Sequence, residues 1–394
     1  MRNFLVLISV CCSLSAMAGQ VNSTVADAPL DYVFQSGTHG CHTYRIPAIV
    51  KSKAGTLIAF AEGRVNSSAD HGNMDIVASR STNGGKTWSS LFVVQTDGDY
   101  QCGNPAPVVD LKTGRIYLLS CGSVSSEGEV MDGKATREVY SQYSDDDGKT
   151  WSARENISTQ VRLPDWRWYA TGPGAGIQIL EGKYKGRLVI PANHSDSKKV
   201  YYAHCFYSDD HGKTWSLGST AGKGSNESKI AEIAPDKLVH NMRMQTDSKG
   251  MRGLRYSSDG GATWSELEHD AILTCPRCQG SVIRDYTGKG RLFFSNPTAL
   301  PRRRQQLAIR ASGDGGKTWP FQKMVFEGDV AYSDLVNIDQ NTVGILFEAW
   351  QKKKSGIAFR IYPKKDILLK DDSVGREAPP LSKLQGQQDK TKGK

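Results

Sequence analysis

The chain has 394 residues, 38 % of them apolar and 23 % charged, a balance too polar for a multispan membrane protein and too apolar for a disordered chain. Lys and Arg number 50 against 41 Asp and Glu, giving a formal charge of +9, which suits an anionic partner or substrate. The basic residues are scattered, and the one tight run, Arg302 to Arg304, sits among strand-like segments, so nucleic acid is not expected as a partner.

At the start of the chain Arg2 supplies a positive charge, Phe4 to Cys12 an apolar stretch, and Ala16-Met17-Ala18 a small-x-small site. This reads as a cleavable leader over residues 1–18, too short to span a membrane. A secreted or periplasmic protein without a transmembrane segment is the expectation.

Short β-rich runs then follow in chain order: Met74 to Ser79, Gly114 to Ser120, Gly186 to Pro191, Tyr201 to Tyr207, Gly290 to Ser295 and Gln306 to Ala311. They are bounded by Gly and Asp and show almost no helical periodicity. An octapeptide recurs among them at Ser81–Trp88, Ser144–Trp151, Ser208–Trp215, Ser257–Trp264 and Ser312–Trp319, at intervals of 63, 64, 49 and 55 residues. Its pattern is S-x-D-x-G-x-T-W, with Asn83 replacing Asp in the first copy. Asp or Asn can bond to backbone two residues on and Gly supplies positive φ, so each copy predicts a tight turn between strands. The closing Trp is large enough to pack into a core beside the turn. Roughly four strands in about 50 residues describes a propeller blade. The predicted fold is therefore all-β, a six-bladed β-propeller over residues 30–365 with one blade lacking the octapeptide, closed as one cooperative domain. Residues 366–394 read as a polar C-terminal tail.

Of the eight cysteines, Cys11 and Cys12 fall in the leader, leaving Cys41, Cys102, Cys121, Cys205, Cys275 and Cys278. Six thiols in a chain of this length do not make a disulfide framework for a small fold. Cys275-Pro-Arg-Cys278 is a lone CxxC, and His39-Gly-Cys-His42 places two His in one strand approach. Neither is a metal site by spacing, and no metal is expected.

Tyr44-Arg45-Ile46-Pro47 stands before the first octapeptide. With these two features the chain resembles the exo-α-sialidases (neuraminidases), whose signature is an Arg in a (Phe/Tyr)-Arg-Ile-Pro motif ahead of Asp-box repeats. The resemblance covers about residues 30 to 365, and Asp165 to Gly174 and Pro191 to Ser195 look most like the secreted bacterial members. The Asp-box also occurs in propellers that bind rather than catalyse, so the octapeptide itself is assigned no catalytic part.

The resemblance implies a substrate, a terminal sialic acid on a glycoprotein, glycolipid or oligosaccharide, whose anomeric carbon carries a carboxylate. Guanidinium matches that group, and the family's three arginines fall on Arg45, Arg243 in Asn241-Met-Arg243, and Arg304. The resemblance also implies a tyrosine nucleophile at Tyr332. The physical reason is that an anionic attacker would approach a carbon already bearing a carboxylate, whereas a neutral phenol avoids that repulsion until its proton leaves. A base is then required, and Glu227 takes that place, with Glu232 as the rival in the same segment. Asp70 matches the acid/base, with Asp75 as competitor, and Glu348 matches the carboxylate that holds Arg45. Arg64 matches the arginine beside the acid/base. Trp166 and Trp168 are open to two readings, as lining of an N-acetyl pocket or as blade packing.

The implied activity is retaining hydrolysis through a tyrosyl-sialosyl intermediate, without metal or organic cofactor. Transfer of the sialic acid to another sugar and a non-catalytic glycan- or protein-binding propeller are the alternatives. Asn226-Glu-Ser228 is a formal glycosylation sequon, expected to be unused because a glycan there would block the site.

Overall fold

The computed structural model of the protein describes residues 29–220, 222–246, 250–286, 290–299 and 303–369. The expected leader, Arg302 and residues 370–394 of the expected tail lie outside the described residues.

The described chain is built almost entirely of antiparallel strands, interrupted by the short helices Glu127–Met131, Ser158–Val161 and Lys364–Ile367. None of its helices is long and apolar enough to cross a membrane. The strands pair mainly with their sequence neighbours, in four-stranded meanders. Thr43–Lys51, Leu57–Arg64, Met74–Ser81 and Phe92–Gln95 form the first, and Gln101–Val109, Ile116–Ser123, Glu138–Ser144 and Glu155–Asn156 the next. A single parallel pairing, Met74 with Gln101, joins these two into one sheet. Leu188–Ser195 carries both Tyr169–Thr171 and Ile177–Gln178 on one edge, and Tyr201–Ser208 and then Ser216–Leu217 on the other. Ser225–Ala234, Lys237–Met244, Met251–Ser257 and Glu268–Thr274 form a separate sheet.

The last sheet explains how the chain closes. Phe321–Asn337 pairs backward with Gln305–Ser312 from Phe321 to Asp329, and forward with Thr342–Gln351 from Asp329 to Asn337. One long strand thus ends one meander and begins the next. Tyr32–Gln35, from the start of the described chain, then adds to the outer edge of Lys354–Pro363. Pairing the first strand with the last ties the two ends together and removes an open edge.

Leu57–Arg64 and Gln101–Val109 are buried at every position, so neighbouring structure covers both of their faces. In the first of them the apolar run Leu57 to Ala61 fits such a position.

The octapeptides repeat one hydrogen-bond pattern. In the second copy Ser144 Oγ donates to Asp146 Oδ1 at 2.8 Å, Gly148 N to Ser144 Oγ at 2.9 Å, and Thr150 Oγ1 to Asp146 Oδ2 at 2.6 Å. The copies beginning at Ser208, Ser257 and Ser312 make the same bonds. Asn83 preserves the geometry in the first copy, donating from Nδ2 to Thr87 Oγ1 at 2.7 Å. The closing tryptophans make edge-on or tilted ring contacts: Trp151 on Phe60, Trp88 on Phe359, Trp215 on Tyr117 and Phe206, Trp319 on Phe294. Trp151 and Trp88 reach strands of a different meander, so the turns also fasten meander to meander.

At the centre the first strands of successive meanders converge on Asp334, which is fully buried. Its carboxylate accepts Ile49 N at 3.0 Å, Ala175 N at 2.9 Å and Ser281 Oγ at 2.8 Å. Lys229 Nζ lies 2.9 Å away and also donates to the Ala175 carbonyl at 2.5 Å.

Candidate active site

On one side of this hub the beginnings of the inner strands surround a pocket of about 180 Å³. Backbone irregularity aims its side chains. Ile46 has φ +60° and Asn104 φ +55°, a region that costs a β-branched residue energy. Each precedes a proline and sits at a β-bulge, between Arg45 and Ala48 and between Gly103 and Ala106. Further bulges lie between Ser225 and Ser228, around Glu227, and between Val330 and Ser333, around Tyr332. An extra residue in one strand redirects its side chain, and here it delivers Arg45, Glu227 and Tyr332 to one cavity.

Arg45 is held from behind. Its Nε and Nη2 donate to the two oxygens of Glu348, each at 3.1 Å. The same carboxylate accepts Ile46 N at 2.8 Å and Tyr332 N at 3.4 Å, so one buried anion fixes both the arginine and the backbone of the tyrosine. Burial works against the Arg45 charge, but Glu348, Tyr332 and Asp70 together outweigh it and hold the guanidinium more firmly protonated than usual. The Arg45 guanidinium carbon lies 5.3 Å from the Tyr332 ring centre, and that of Arg304 5.5 Å. Arg304 Nη2 donates to the Arg277 carbonyl at 2.8 Å.

The Tyr332 hydroxyl donates to Glu227 Oε1 in a short hydrogen bond. Arg243 Nη1 bridges the couple, 2.5 Å from Glu227 Oε2 and 2.9 Å from Tyr332 Oη, while its Nη2 donates to Gln245 Oε1 at 2.6 Å. Burial, and then the adjacent Glu227 carboxylate, push the Tyr332 phenol well above its usual range, with Arg243 and Arg304 pulling the other way. The resting group is a neutral phenol with an acceptor already in place.

Asp70 stands at the pocket mouth with its side chain 74 % exposed. Arg64 Nη1 lies 2.6 Å from its Oδ1 and Arg45 Nη1 3.7 Å away. Burial on its inner side raises the carboxyl, but Arg64 and Arg45 together outweigh this and hold it below the usual carboxylate range. Arg64 is itself braced by Glu62 at 2.7 Å and donates to the Ser68 carbonyl at 2.7 Å. The carboxylate-bearing loop is thereby tied to the pocket wall.

The eight expected site residues come together: Arg45, Arg64, Asp70, Glu227, Arg243, Arg304 and Tyr332 line the pocket, and Glu348 stands directly behind Arg45. The rivals separate from them. Glu232 is buried elsewhere, accepting Leu180 N and Glu181 N at 3.0 and 3.1 Å. Asp75 pairs across strands with Gly63 and does not line the pocket. The two tryptophans also divide: Trp166 packs in the interior against His194, with ring centres 3.4 Å apart, whereas Trp168 lines the pocket. Asn226 is buried in the pocket wall, which leaves no room for a glycan.

Several pocket residues carried no sequence signal. Arg137 is fully buried, stacks 4.4 Å over Trp168, and donates to Gln101 Oε1 at 2.5 Å and Asn104 Oδ1 at 2.6 Å. Gln101 in turn donates to the Asp70 carbonyl at 2.9 Å. Glu127 and Tyr201 meet across the far wall. Asn104-Pro105 repeats the Ile46-Pro47 arrangement, a clue to pocket position that is visible in the sequence only once the bulges are known. Among the described residues no group of three or more His, Cys, Asp or Glu could hold a metal ion, and Cys41, Cys102, Cys121, Cys205, Cys275 and Cys278 are all buried and unpaired with one another.

Comparison with known proteins gives the same family from sequence and from structure. Residues 55–345 match the BNR repeat-like domain. The sialidase of Bacteroides fragilis is 34 % identical over 362 residues, covering 85 % of this chain and 65 % of that protein. The exo-alpha-sialidase of Arthroderma benhamiae is 31 % identical, over 80 % of this chain and 81 % of its own. The chain spans only about half, 51 %, of the Micromonospora viridifaciens sialidase, to which it is 33 % identical. Among solved structures, the Hadza microbial sialidase Hz136 superposes with a TM-score of 0.77 at 34 % identity, covering 85 % of this chain and 68 % of that one. A leech intramolecular trans-sialidase, at 19 % identity and a TM-score of 0.74 over 86 % of this chain and 71 % of its own, shares the fold. With its Asp-box turns, its propeller-type sheets and these relatives, the chain belongs to the sialidase family.

Proposed function

We propose that the protein is a retaining exo-α-sialidase that removes terminal sialic acids from glycoconjugates, working on a six-bladed ring that spans residues 30–365. The observation that carries the reading is the Tyr332–Glu227 hydrogen bond, bridged by Arg243 and flanked by Arg45 and Arg304.

In this reading Arg45, Arg243 and Arg304 take the substrate carboxylate. Oη of Tyr332 bonds to the anomeric carbon as its proton passes to Glu227 and the bond to the aglycone oxygen breaks. Asp70 gives that oxygen a proton. In the second half Asp70 takes a proton from water, the water oxygen replaces the phenol on the anomeric carbon, and Glu227 returns the proton to Tyr332. Two displacements leave the configuration unchanged. Arg243, in contact with both Tyr332 and Glu227, steadies the charge that moves between them. Asp70 needs a proton at the start although Arg64 and Arg45 favour its ionised form. A substrate carboxylate on Arg45 partly neutralises that arginine and so restores the acid. The chemistry is supplied by side chains and water.

The reading extends to the cell: residues 1–18 direct export and are removed after Ala18, which N-terminal sequencing of the exported protein tests.

The catalytic test is release of sialic acid from 3′-sialyllactose, together with trapping by a 2,3-difluoro sialic acid. Tyr332→Phe is expected to lower kcat by about 10³-fold or more, because the attacking oxygen is gone, and the trapped adduct is expected on the peptide containing Tyr332. Sialic acid release that survives in Tyr332→Phe, or an adduct on another residue, overturns the assignment.

A further inference from the structure

Arg137 is buried in the pocket wall at 1 % exposure, yet no step of the proposed reaction uses it. It meets neutral groups: Gln101 Oε1, Asn104 Oδ1, the indole face of Trp168 and the Cys121 thiol. Burying a guanidinium costs desolvation free energy that neutral partners return only in part, so packing alone does not account for this residue.

Its consequence falls on Gln101. A guanidinium only donates, so the Gln101 oxygen must face Arg137, and the amide nitrogen is left to point the other way. There Nε2 donates to the Asp70 carbonyl at 2.9 Å. Without Arg137 the amide is free to turn over, which would set oxygen against oxygen. Asp70 is therefore held at two points, its own carbonyl by Gln101 and its carboxylate by Arg64, 2.6 Å away. The two holds meet at Asn104. Glu62, which braces Arg64, also accepts Asn104 N at 2.8 Å, and the Asn104 side chain accepts Arg137 at 2.6 Å. The contacts close a ring, from the Asp70 carboxylate through Arg64, Glu62, Asn104, Arg137 and Gln101 back to the Asp70 carbonyl.

We infer that Arg137 is a positioning residue for the acid/base: by fixing the orientation of the Gln101 amide it latches the backbone of Asp70 and aims the carboxyl at the departing oxygen. The inference rests on the sialidase reading of the pocket. Arg137 acts through Gln101 rather than on the substrate, so what it governs is delivery of the proton.

That role has a signature that a merely structural one lacks. A sugar or alkyl oxygen leaves poorly and must take the proton of Asp70, whereas 4-nitrophenoxide departs without it. The experiment compares kcat/KM, which reports the steps up to departure of the leaving group, on 3′-sialyllactose and methyl α-sialoside with that on 4-nitrophenyl α-sialoside. Arg137→Met exchanges a buried charge for an apolar chain, a change the fold tolerates. It is expected to lower kcat/KM on 3′-sialyllactose and the methyl sialoside about 10-fold or more beyond its effect on the aryl sialoside. Gln101→Met leaves Arg137 in place and is expected to show the same selectivity, with the double variant within about twofold of Gln101→Met alone. Equal losses on all three substrates, a loss confined to 3′-sialyllactose, or losses that multiply in the double variant overturn the latch. If the unaltered protein releases sialic acid from none of the three, the sialidase reading falls and takes the latch with it. Release from all three, with variants that do not discriminate by leaving group, removes the latch alone.

Discussion

The acid/base assignment of Asp70 turns on competition between two arginines and the residue's own inner burial. Arg64 sits 2.6 Å from the carboxylate and is the larger of the two arginine influences lowering it. Removing that charge lets the carboxyl rise toward its ordinary range. A general acid works below its pKa, so the falling alkaline limb of the rate profile should move with it. Arg64→Gln is therefore expected to shift the alkaline limb of kcat/KM to higher pH by about one unit, with a lower maximum because the loop loses its tie to Ser68. A profile that keeps its midpoint while falling in height would show that Arg64 only holds the loop and does not tune Asp70. At this scale the sequence was informative where chemistry restricts the residue type. An Arg in Tyr-Arg-Ile-Pro marks itself, whereas Arg137 and Gln101 look like any polar strand residue and acquire meaning only from the contact between them.

Strand and turn elements were legible because their patterns are local. Each octapeptide satisfies its own backbone through one Ser, one Asp or Asn and one Thr, and the structure reproduces the same bonds at every copy. The Gly that closes the Ser loop has a second duty the pattern did not reveal. Gly212 has φ +81°, and a Cβ placed there would lie 2.3 Å from Cζ of Tyr117, on a neighbouring meander. Gly315, one residue before the loop-closing Gly316 of the last octapeptide, has φ +76° with nothing within 4 Å. Both positions strain an L residue, but only the first also collides. Gly212→Ala is expected to cost about 2–4 kcal/mol and Gly315→Ala about 1 kcal/mol, read as denaturation midpoints. Similar losses at the two sites would mean that backbone conformation alone accounts for the glycines. The bulges that aim Arg45, Glu227 and Tyr332 were not legible. A single extra residue in a strand leaves composition and alternation almost unchanged, yet it turns a side chain from the sheet face into the cavity.

The ring as a whole depends on contacts between residues hundreds of positions apart. Repetition announced the architecture, but the closure of Tyr32–Gln35 on Lys354–Pro363 and the hub at Asp334 could not be read from it, since neither has a local pattern. Asp334 receives two backbone N–H groups and a hydroxyl from three other meanders, and Lys229 supplies a cation 2.9 Å from it. Both side chains are almost completely buried. A buried ion pair gains little over a well-packed apolar substitute, but removing one partner strands the other charge in a low dielectric. Lys229→Met should therefore cost about 3–5 kcal/mol by leaving Asp334 with its charge uncompensated. Asp334→Leu should cost at least as much, because Ile49 N, Ala175 N and Ser281 Oγ lose their acceptor along with Lys229. The double variant separates charge from hydrogen bonding. If the pair is the dominant interaction, Asp334→Leu with Lys229→Met is less destabilised than the sum of the single variants by about 2 kcal/mol or more. Additive losses would instead assign the hub's strength to the three N–H and O–H donors, and the ring would then be held at its axis by hydrogen bonds that tie the meanders together without help from the lysine.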